Sequence, residues 1–238
     1  MPPFQFKQFS IHHDQSVFKV NFDGVLLAAW ADVGNKKRGL DIGAGTGVIA
    51  LACCQRNEQL FMDAIELDLA SANEAKGNFE RSKFSERAQV IHGDIQSFAL
   101  SAKMKYDFII SNPPYFQADK NTPSEKKSQT AKHTDLLSFE DLILAVTRLL
   151  DADGHFNLIL PYQEALTFIE LAKKSQLYLA KRTEVKSRRE KPVERMLLCF
   201  SLQQDQLEEA ELIIQNSGER HDYTEAYIRL VQDFYTIL

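Results

Sequence analysis

Cysteine is scarce in this chain. The three present are the adjacent Cys53 and Cys54 and a distant Cys199. They make neither a disulfide framework nor a zinc-binding pattern, so a reducing compartment is expected, with the adjacent pair acting as small buried hydrophobes. Long apolar runs are also missing. None approaches the roughly 20 residues a membrane span needs, and the opening Met1-Pro2-Pro3-Phe4-Gln5 holds no apolar signal core. A cytoplasmic protein is expected. Positive charge is not in excess: 28 Lys and Arg stand against 33 Asp and Glu, a net charge of −5. That excludes uniform electrostatic attraction to nucleic acid but leaves room for a local basic patch. His12, His13, His92, His133, His155 and His221 show no metal-ligand spacing, and no metal is expected. What is present is ordinary globular composition, 44% hydrophobic and 26% charged over 238 residues. This excludes global disorder and collagen-like repeats, and the length fits one α/β domain.

Short runs rich in Ile, Val and Phe recur at residues 38–42, 61–65, 88–92, 106–111, 154–160, 177–186 and 194–203. Helical patterns fall at 47–56, 69–83, 138–150 and 162–175, with two more at 23–31 and 224–235. Such alternation predicts a Rossmann-like α/β fold, a mostly parallel seven-stranded sheet with helices on both faces. The last two strands have no helix between them, so an antiparallel hairpin is expected at one edge. No Gly/Ser-rich linker or internal repeat interrupts the chain. A single domain over 1–238 is expected, with 1–35 flanking a core at 36–238. Residues 117–134 are polar and read as a long loop, and such loops are usually functional or disordered. Residues 181–195 carry Lys181, Arg182, Lys186, Arg188, Arg189, Lys191 and Arg195 against Glu184, Glu190 and Glu194, whereas the tail from Gln203 is acidic. Charge is segregated along the chain.

Leu40-Asp41-Ile42-Gly43-Ala44-Gly45-Thr46-Gly47 ends the first expected strand and opens a helix. Gly43, Gly45 and Gly47 permit a tight turn and close approach of a ligand to the backbone. The dinucleotide fingerprint places its third glycine one residue later, where Val48 stands, which argues against NAD or FAD. Asp41 would repel a phosphate and suits a cationic or amino-bearing ligand. S-adenosyl-L-methionine carries a sulfonium and an ammonium and no phosphate. Glu66 ends the second strand, with Asp68 two residues on, placed to accept hydrogen bonds from ribose hydroxyls. His92-Gly93-Asp94 ends the third, where Asp94 could accept the adenine amino hydrogen. Open α/β sheets bind ligands at these strand ends.

Asn112-Pro113-Pro114-Tyr115 ends the fourth strand, beside that crevice. An Asn side chain offers an amide oxygen acceptor. Two prolines fix φ and remove two donors, so the Pro113 carbonyl can aim at the same amino group. An aromatic amine or amide is a poor nucleophile because its lone pair is conjugated. Two acceptors on its two hydrogens favour pyramidalisation and stabilise charge developing on nitrogen. Tyr115 gives a flat face for stacking a planar substrate. A general base is not obvious; water can take the proton after transfer.

These residues resemble the class I S-adenosylmethionine-dependent methyltransferases that act on planar nitrogens through an Asn-Pro-Pro-Tyr motif. That set includes adenine-N6, guanine-N2 and glutamine-N5 enzymes, and the tetrapeptide does not choose among them. Phe6-Lys7-Gln8-Phe9, Phe18-Lys19-Val20 and Asp23-Gly24-Val25-Leu26-Leu27-Ala28-Ala29-Trp30-Ala31 resemble the bacterial tRNA1(Val) adenine-N6-methyltransferase family. The likeness continues through Asn112-Pro113-Pro114-Tyr115-Phe116 to Tyr223-Thr224-Glu225-Ala226-Tyr227 and Asp233-Phe234-Tyr235, nearly the whole chain. It implies methylation of the adenine 3′ of the anticodon in a valine tRNA, by a protein expected to be a monomer. It also brings Lys19 and Asp23 to the cofactor's methionine end and Phe116 to the substrate. Asn21-Phe22 depart from the family's Gly-Thr before the Asp-Gly, and Lys132 stands where Arg is commoner. Lys126, Lys127 and Lys132, with Arg188 and Arg189, are candidates for phosphate contacts, each worth about 0.7–0.9 log unit of salt slope. An anticodon loop suits such an enzyme because its bases are partly unstacked already. Two other readings stand beside this one. They are an Asn-Pro-Pro-Tyr enzyme on another planar nitrogen (rRNA guanine-N2 or protein glutamine-N5), and a cofactor- and RNA-binding module without turnover.

Overall fold

The computed structural model describes residues 2–14, 21–113 and 137–236. The chain opens with β1 (Phe4–Gln5) and β2 (Ser10–Ile11), a small antiparallel pair, followed by α1 (Phe22–Trp30). Strands and helices then alternate: β3 (Arg38–Ile42), α2 (Val48–Arg56), β4 (Phe61–Glu66), α3 (Leu69–Arg81), β5 (Ala88–His92), α4 (Ile95–Ser101) and β6 (Tyr106–Ser111). After the undescribed stretch come α5 (Phe139–Leu149), β7 (Leu150–Pro161), α6 (Tyr162–Lys174), β8 (Tyr178–Lys186), β9 (Arg195–Ser201), β10 (Glu208–Ile213) and α7 (Glu225–Val231).

β3 to β10 form one sheet in the order β10-β8-β9-β7-β6-β3-β4-β5. β3 to β7 are parallel to one another, as helical crossovers between them allow. β9 runs antiparallel to both β7 and β8. Period-two alternation divides the core into two layers. Met62, Ala64 and Phe108 pack with α1 and α2 on one face; Leu40, Ile42, Ile109 and Phe156 pack with α5 and α6 on the other. The central strands are therefore covered on both sides, which is why they read as apolar runs.

The expected sheet and hairpin are present, with one correction. The sheet has eight strands, not seven, because the acidic stretch beyond Gln203 adds β10 parallel to β8, and the hairpin is not the edge. The stretch Glu-Glu-Ala-Glu-Leu-Ile lacks a hydrophobic alternation. Cross-strand ion pairs replace it: Arg182 with Glu209 and Lys186 with Glu211. The charged edge also resists pairing with another chain. Helix α4 was not expected either, since its seven residues are too few to show a period.

Candidate active site

Strand register assembles the site. From β3 the sheet continues through β4 and β5 on one side and through β6 and β7 on the other, so the chain order reverses between β3 and β6. A crevice at such a switch point lies outside the strands' carboxyl ends. Ile42 pairs with Ile65 and with Ser111, and Glu66 pairs with His92. Asn112, Gly43, Glu66 and His92 therefore stand in one row on four adjacent strands, spanning about 15 Å at ordinary strand spacing. The Ser111 hydroxyl donates to the Ile42 carbonyl at 2.8 Å and locks the two central strand ends together.

The glycine turn is held from beneath. Gly43 and Ala44 donate to the Ile65 carbonyl at 2.9 and 3.2 Å, and Gly45 donates to Glu66 Oε2 at 2.8 Å. Gly43, Gly45 and Gly47 have φ of 73°, 54° and 79°, a left-handed region costly for other residues. A Cβ on Gly43 would meet nothing within 4 Å, so this glycine leaves open space on the crevice side. A Cβ on Gly47 would lie 2.4 Å from the Phe79 ring, so this glycine instead lets α3 pack against the turn.

Asp41 is fully buried, and neither carboxylate oxygen has a hydrogen-bond partner among the described residues. Burial pushes its pKa up to about 7; the Ala50 N–H in the first turn of α2, which faces the carboxyl without completing a hydrogen bond, opposes the shift, and nearby Glu66 adds to it. An orphaned buried carboxyl next to an open glycine turn is costly to keep for folding alone. Glu66 is also buried, and its second oxygen accepts from the Asp68 N–H at 2.9 Å. Asp68 and Asp94 cap α3 and α4, accepting from Ser71 N–H and from the Gln96 and Ser97 N–H groups. Hydrogen bonding from Ser71 and Ser97 holds their respective carboxyls below the usual carboxylate range. The acids expected at the second and third strand ends thus stand there, where Asp68 and Asp94 cap the following helices.

Asn112 is half-buried and Pro113 buried at the tip of β6. The Asn112 amide donates to Asn21 Oδ1 at 3.3 Å, and Asn21 also caps α1, accepting from the Gly24 N–H at 2.8 Å. Asp23 forms an ion pair with Arg195 at 2.9 Å, tying α1 to the start of β9. The N-terminus of α1 therefore lies over the row of strand ends. Lys19, Pro114, Tyr115, Phe116, Lys126, Lys127 and Lys132, and the loop expected at 117–134, lie outside the described residues.

The basic hairpin keeps fewer free charges than its composition implies. Arg182, Lys186 and Arg195 are in ion pairs, and Lys181 lies over the Trp30 ring at 5.1 Å. Arg188 pairs with Glu190 at 3.4 Å, whereas Arg189 is exposed. The hairpin turn sits beside the carboxyl end of β7, since Arg195 pairs with Pro161. Arg188 and Arg189 are thus brought to the same edge as Asn112. There, Pro161, Tyr162, Glu164, Pro192, Val193 and Glu194 border an open groove of about 560 Å³. Sequence reasoning missed this groove, which only the hairpin's return past β7 creates.

It also missed Asn78, which is fully buried. Its amide donates to the carbonyls of Thr46 and His12 at 3.0 and 2.9 Å and accepts from the His12 N–H, clamping the N-terminal segment to the glycine turn. An asparagine inside a helical pattern was the available signal. Cys53 and Cys54 are fully buried, and burial pushes the Cys54 thiol up to about 12, as for inert core residues. Among the described residues no three His, Cys, Asp or Glu side chains are grouped to hold a metal, and no helix is long and apolar enough to cross a membrane.

A glycine turn over an orphaned carboxyl, acids at the next two strand ends and an Asn-Pro at the fourth define a class I methyltransferase. The family model "Methyltransferase small domain" matches residues 9–160. In fold, the chain is similar to a protein from Agrobacterium tumefaciens described as a predicted O-methyltransferase, with a TM-score of 0.69 and 22% identity over 89% of this chain and 96% of that one. It is also similar to the human methyltransferase 10 domain containing protein, with a TM-score of 0.56 and 19% identity over 82% and 90%. Relatives similar over the full length narrow the class. A tRNA1(Val) (adenine(37)-N6)-methyltransferase of Flavobacterium psychrophilum is 39% identical over 233 residues, 98% of each chain. One from Trichodesmium erythraeum is 39% identical over 234 residues, covering 98% of this chain and 97% of its own. The chain belongs to the tRNA1(Val) (adenine(37)-N6)-methyltransferase family.

The methyl donor of this class is S-adenosyl-L-methionine, and the residues present fit it. The turn offers open space at Gly43, two buried carboxyls lie beneath and beside it, and no lysine or arginine of the described turn awaits a phosphate.

Proposed function

We propose that this protein methylates N6 of adenine 37 in tRNA1(Val), with Asn112 and the Pro113 carbonyl as the groups that grip the amine. The observation that carries the reading is the position of Asn112, one strand from the glycine turn in a chain alike from end to end to enzymes of that name.

When bound, S-adenosyl-L-methionine supplies an electrophilic methyl group. Asp41 lends negative potential beneath the turn, suited to a cationic ligand. Glu66 has accepting capacity left on both oxygens for ribose hydroxyls, and Asp94 likewise for an amino hydrogen. Asn112 Oδ1 and the Pro113 carbonyl accept the two hydrogens of the adenine amine. That draws the lone pair out of ring conjugation and aims it into the crevice; these acceptors then stabilise the positive charge on nitrogen. Water takes the proton afterwards, because the amine becomes acidic only once alkylated. Tyr115 and Phe116 stack the extruded base, and Lys19 and Asp23 serve the methionine end. Arg188, Arg189, Lys126, Lys127 and Lys132 contact phosphates. The anticodon loop presents its base at a smaller unstacking cost than a duplex would.

Incubating the protein with labelled S-adenosyl-L-methionine and tRNA lacking the modification tests the reading. RNase-sensitive label recovered as N6-methyladenosine is expected. Label on guanine would assign another planar nitrogen, and RNase-resistant label a protein glutamine.

A further inference from the structure

We propose that Asn21 is a positioning residue that sets which way the Asn112 carboxamide faces. The inference rests on the proposed chemistry at Asn112 and concerns a position where this chain departs from its family's pattern.

An Asn side chain has a donor arm and an acceptor arm of nearly equal shape, so its useful orientation has to be imposed by neighbours. Asn21 is itself oriented without ambiguity. It is the N-cap of α1, and a backbone N–H, that of Gly24, points at it from 2.8 Å. A backbone N–H can only donate, so the Asn21 atom there is the carbonyl oxygen. The same oxygen lies 3.3 Å from the Asn112 side chain. Two oxygens facing each other would repel, so Asn112 presents its NH2 to Asn21. Its own oxygen then points away on the other arm, free to accept. That is the arm the amine needs. In the reverse orientation Asn112 would direct N–H groups at an amine whose hydrogens it has to accept, an unproductive arrangement.

The backbone of α1 thus determines the polarity of a side chain on β6, through one shared oxygen. The Asp23–Arg195 ion pair adjoins it and holds the first turn of α1 in place, so the reference oxygen does not wander. Gly24 leaves room for the arrangement: a Cβ there would stand 3.1 Å from Asn21 Oδ1.

Two substitutions at Asn21 and one double variant, assayed by steady-state turnover on the target tRNA and by calorimetry with S-adenosyl-L-methionine, separate orientation from capping. Asn21→Ser keeps a good cap but withdraws the oxygen from Asn112. It is expected to lower kcat roughly three- to tenfold, with KM for tRNA and cofactor affinity unchanged. Asn21→Asp retains an acceptor for both donors and is expected to restore kcat to within about twofold of wild type at pH 8. In an Asn112→Ala background, Asn21→Ser is expected to have no further effect, because nothing remains to orient. Equal kcat in wild type and Asn21→Ser, failure of Asn21→Asp to rescue, or full additivity with Asn112→Ala would overturn the proposal. A wild-type enzyme that leaves adenine 37 unmethylated would instead overturn the functional reading itself.

Discussion

The two faces of the sheet treat buried carboxylates in opposite ways. On the face of Leu40 and Ile65, Asp63 is surrounded by partners: the Tyr106 hydroxyl donates to it at 2.7 Å, the Gln89 amide at 2.5 Å, and Arg38 pairs with it at 3.7 Å. On the face of Met62 and Ala64, Asp41, one strand away, completes no hydrogen bond at either oxygen among the described residues. Asp63 completes a polar network that fixes β4, β5 and β6 relative to one another. Asp41 lies beneath a turn whose Gly43 faces open space. Folding alone would select against the second arrangement, because an unsatisfied buried carboxyl costs more than a satisfied one.

Substitutions at the crevice and at the Asp63 network should therefore fail in different ways. The largest effect is expected from Asn112→Ala, which should lower kcat on the order of 10²–10³-fold while calorimetry finds unchanged cofactor affinity. Asp41→Ala and Glu66→Ala should do the reverse, weakening cofactor binding about 10- to 100-fold with a smaller change in kcat at saturation. Asp63→Ala should instead lower stability by about 2–4 kcal/mol in denaturant melts, since it leaves Tyr106 and Gln89 without their acceptor. Cofactor affinity per folded molecule should stay as in wild type. Loss of affinity without loss of stability in Asp63→Ala would erase the distinction between the two carboxyls.

Proton linkage sharpens the same comparison. Asp41 holds its proton to about pH 7 when folded, whereas its ordinary value is 3.8. Between those values the native state binds a proton that the unfolded chain has released. Its contribution to stability therefore falls as pH rises from about 4 through about 7 and does not return above that. Asp41→Asn should flatten that slope in melts between pH 5 and 8. Cofactor affinity should run the other way, declining below about pH 7 by at most about tenfold per pH unit as the carboxylate is neutralised. The smallest effects belong to the hairpin turn. Arg188→Ala and Arg189→Ala should each reduce the salt slope of tRNA binding by about 0.7–0.9, leaving the turnover of bound tRNA unchanged.

Much of this fold was legible because the parallel core obeys simple periodicity. The central strand at 106–111 and the glycine turn emerge at the positions expected, since burial on both faces writes a continuous apolar run into the residues. β10 was not legible, because its stability comes from Glu209 and Glu211 meeting Arg182 and Lys186 across strands, which needs the neighbour to be known. The site follows the same division. Residues that stand at strand ends, such as Glu66, Asp94 and Asn112, could be placed from local pattern. Asn21 and Asn78 could not, because each acts by joining segments far apart in the chain, Asn21 to Asn112 and Asn78 to His12 and Thr46. The apparent basic patch was overestimated for the same reason: its ion-pair partners lie elsewhere in the sequence.

Nucleoside mass mapping of tRNA from a strain lacking this gene, before and after its restoration, probes most directly whether Asn112 serves an adenine amine. One methyl group, on N6 of adenine 37 of tRNA1(Val), is expected to disappear with the gene and to return with the wild-type copy but not with Asn112→Ala. An unchanged adenine 37, or full restoration by Asn112→Ala, would contradict it.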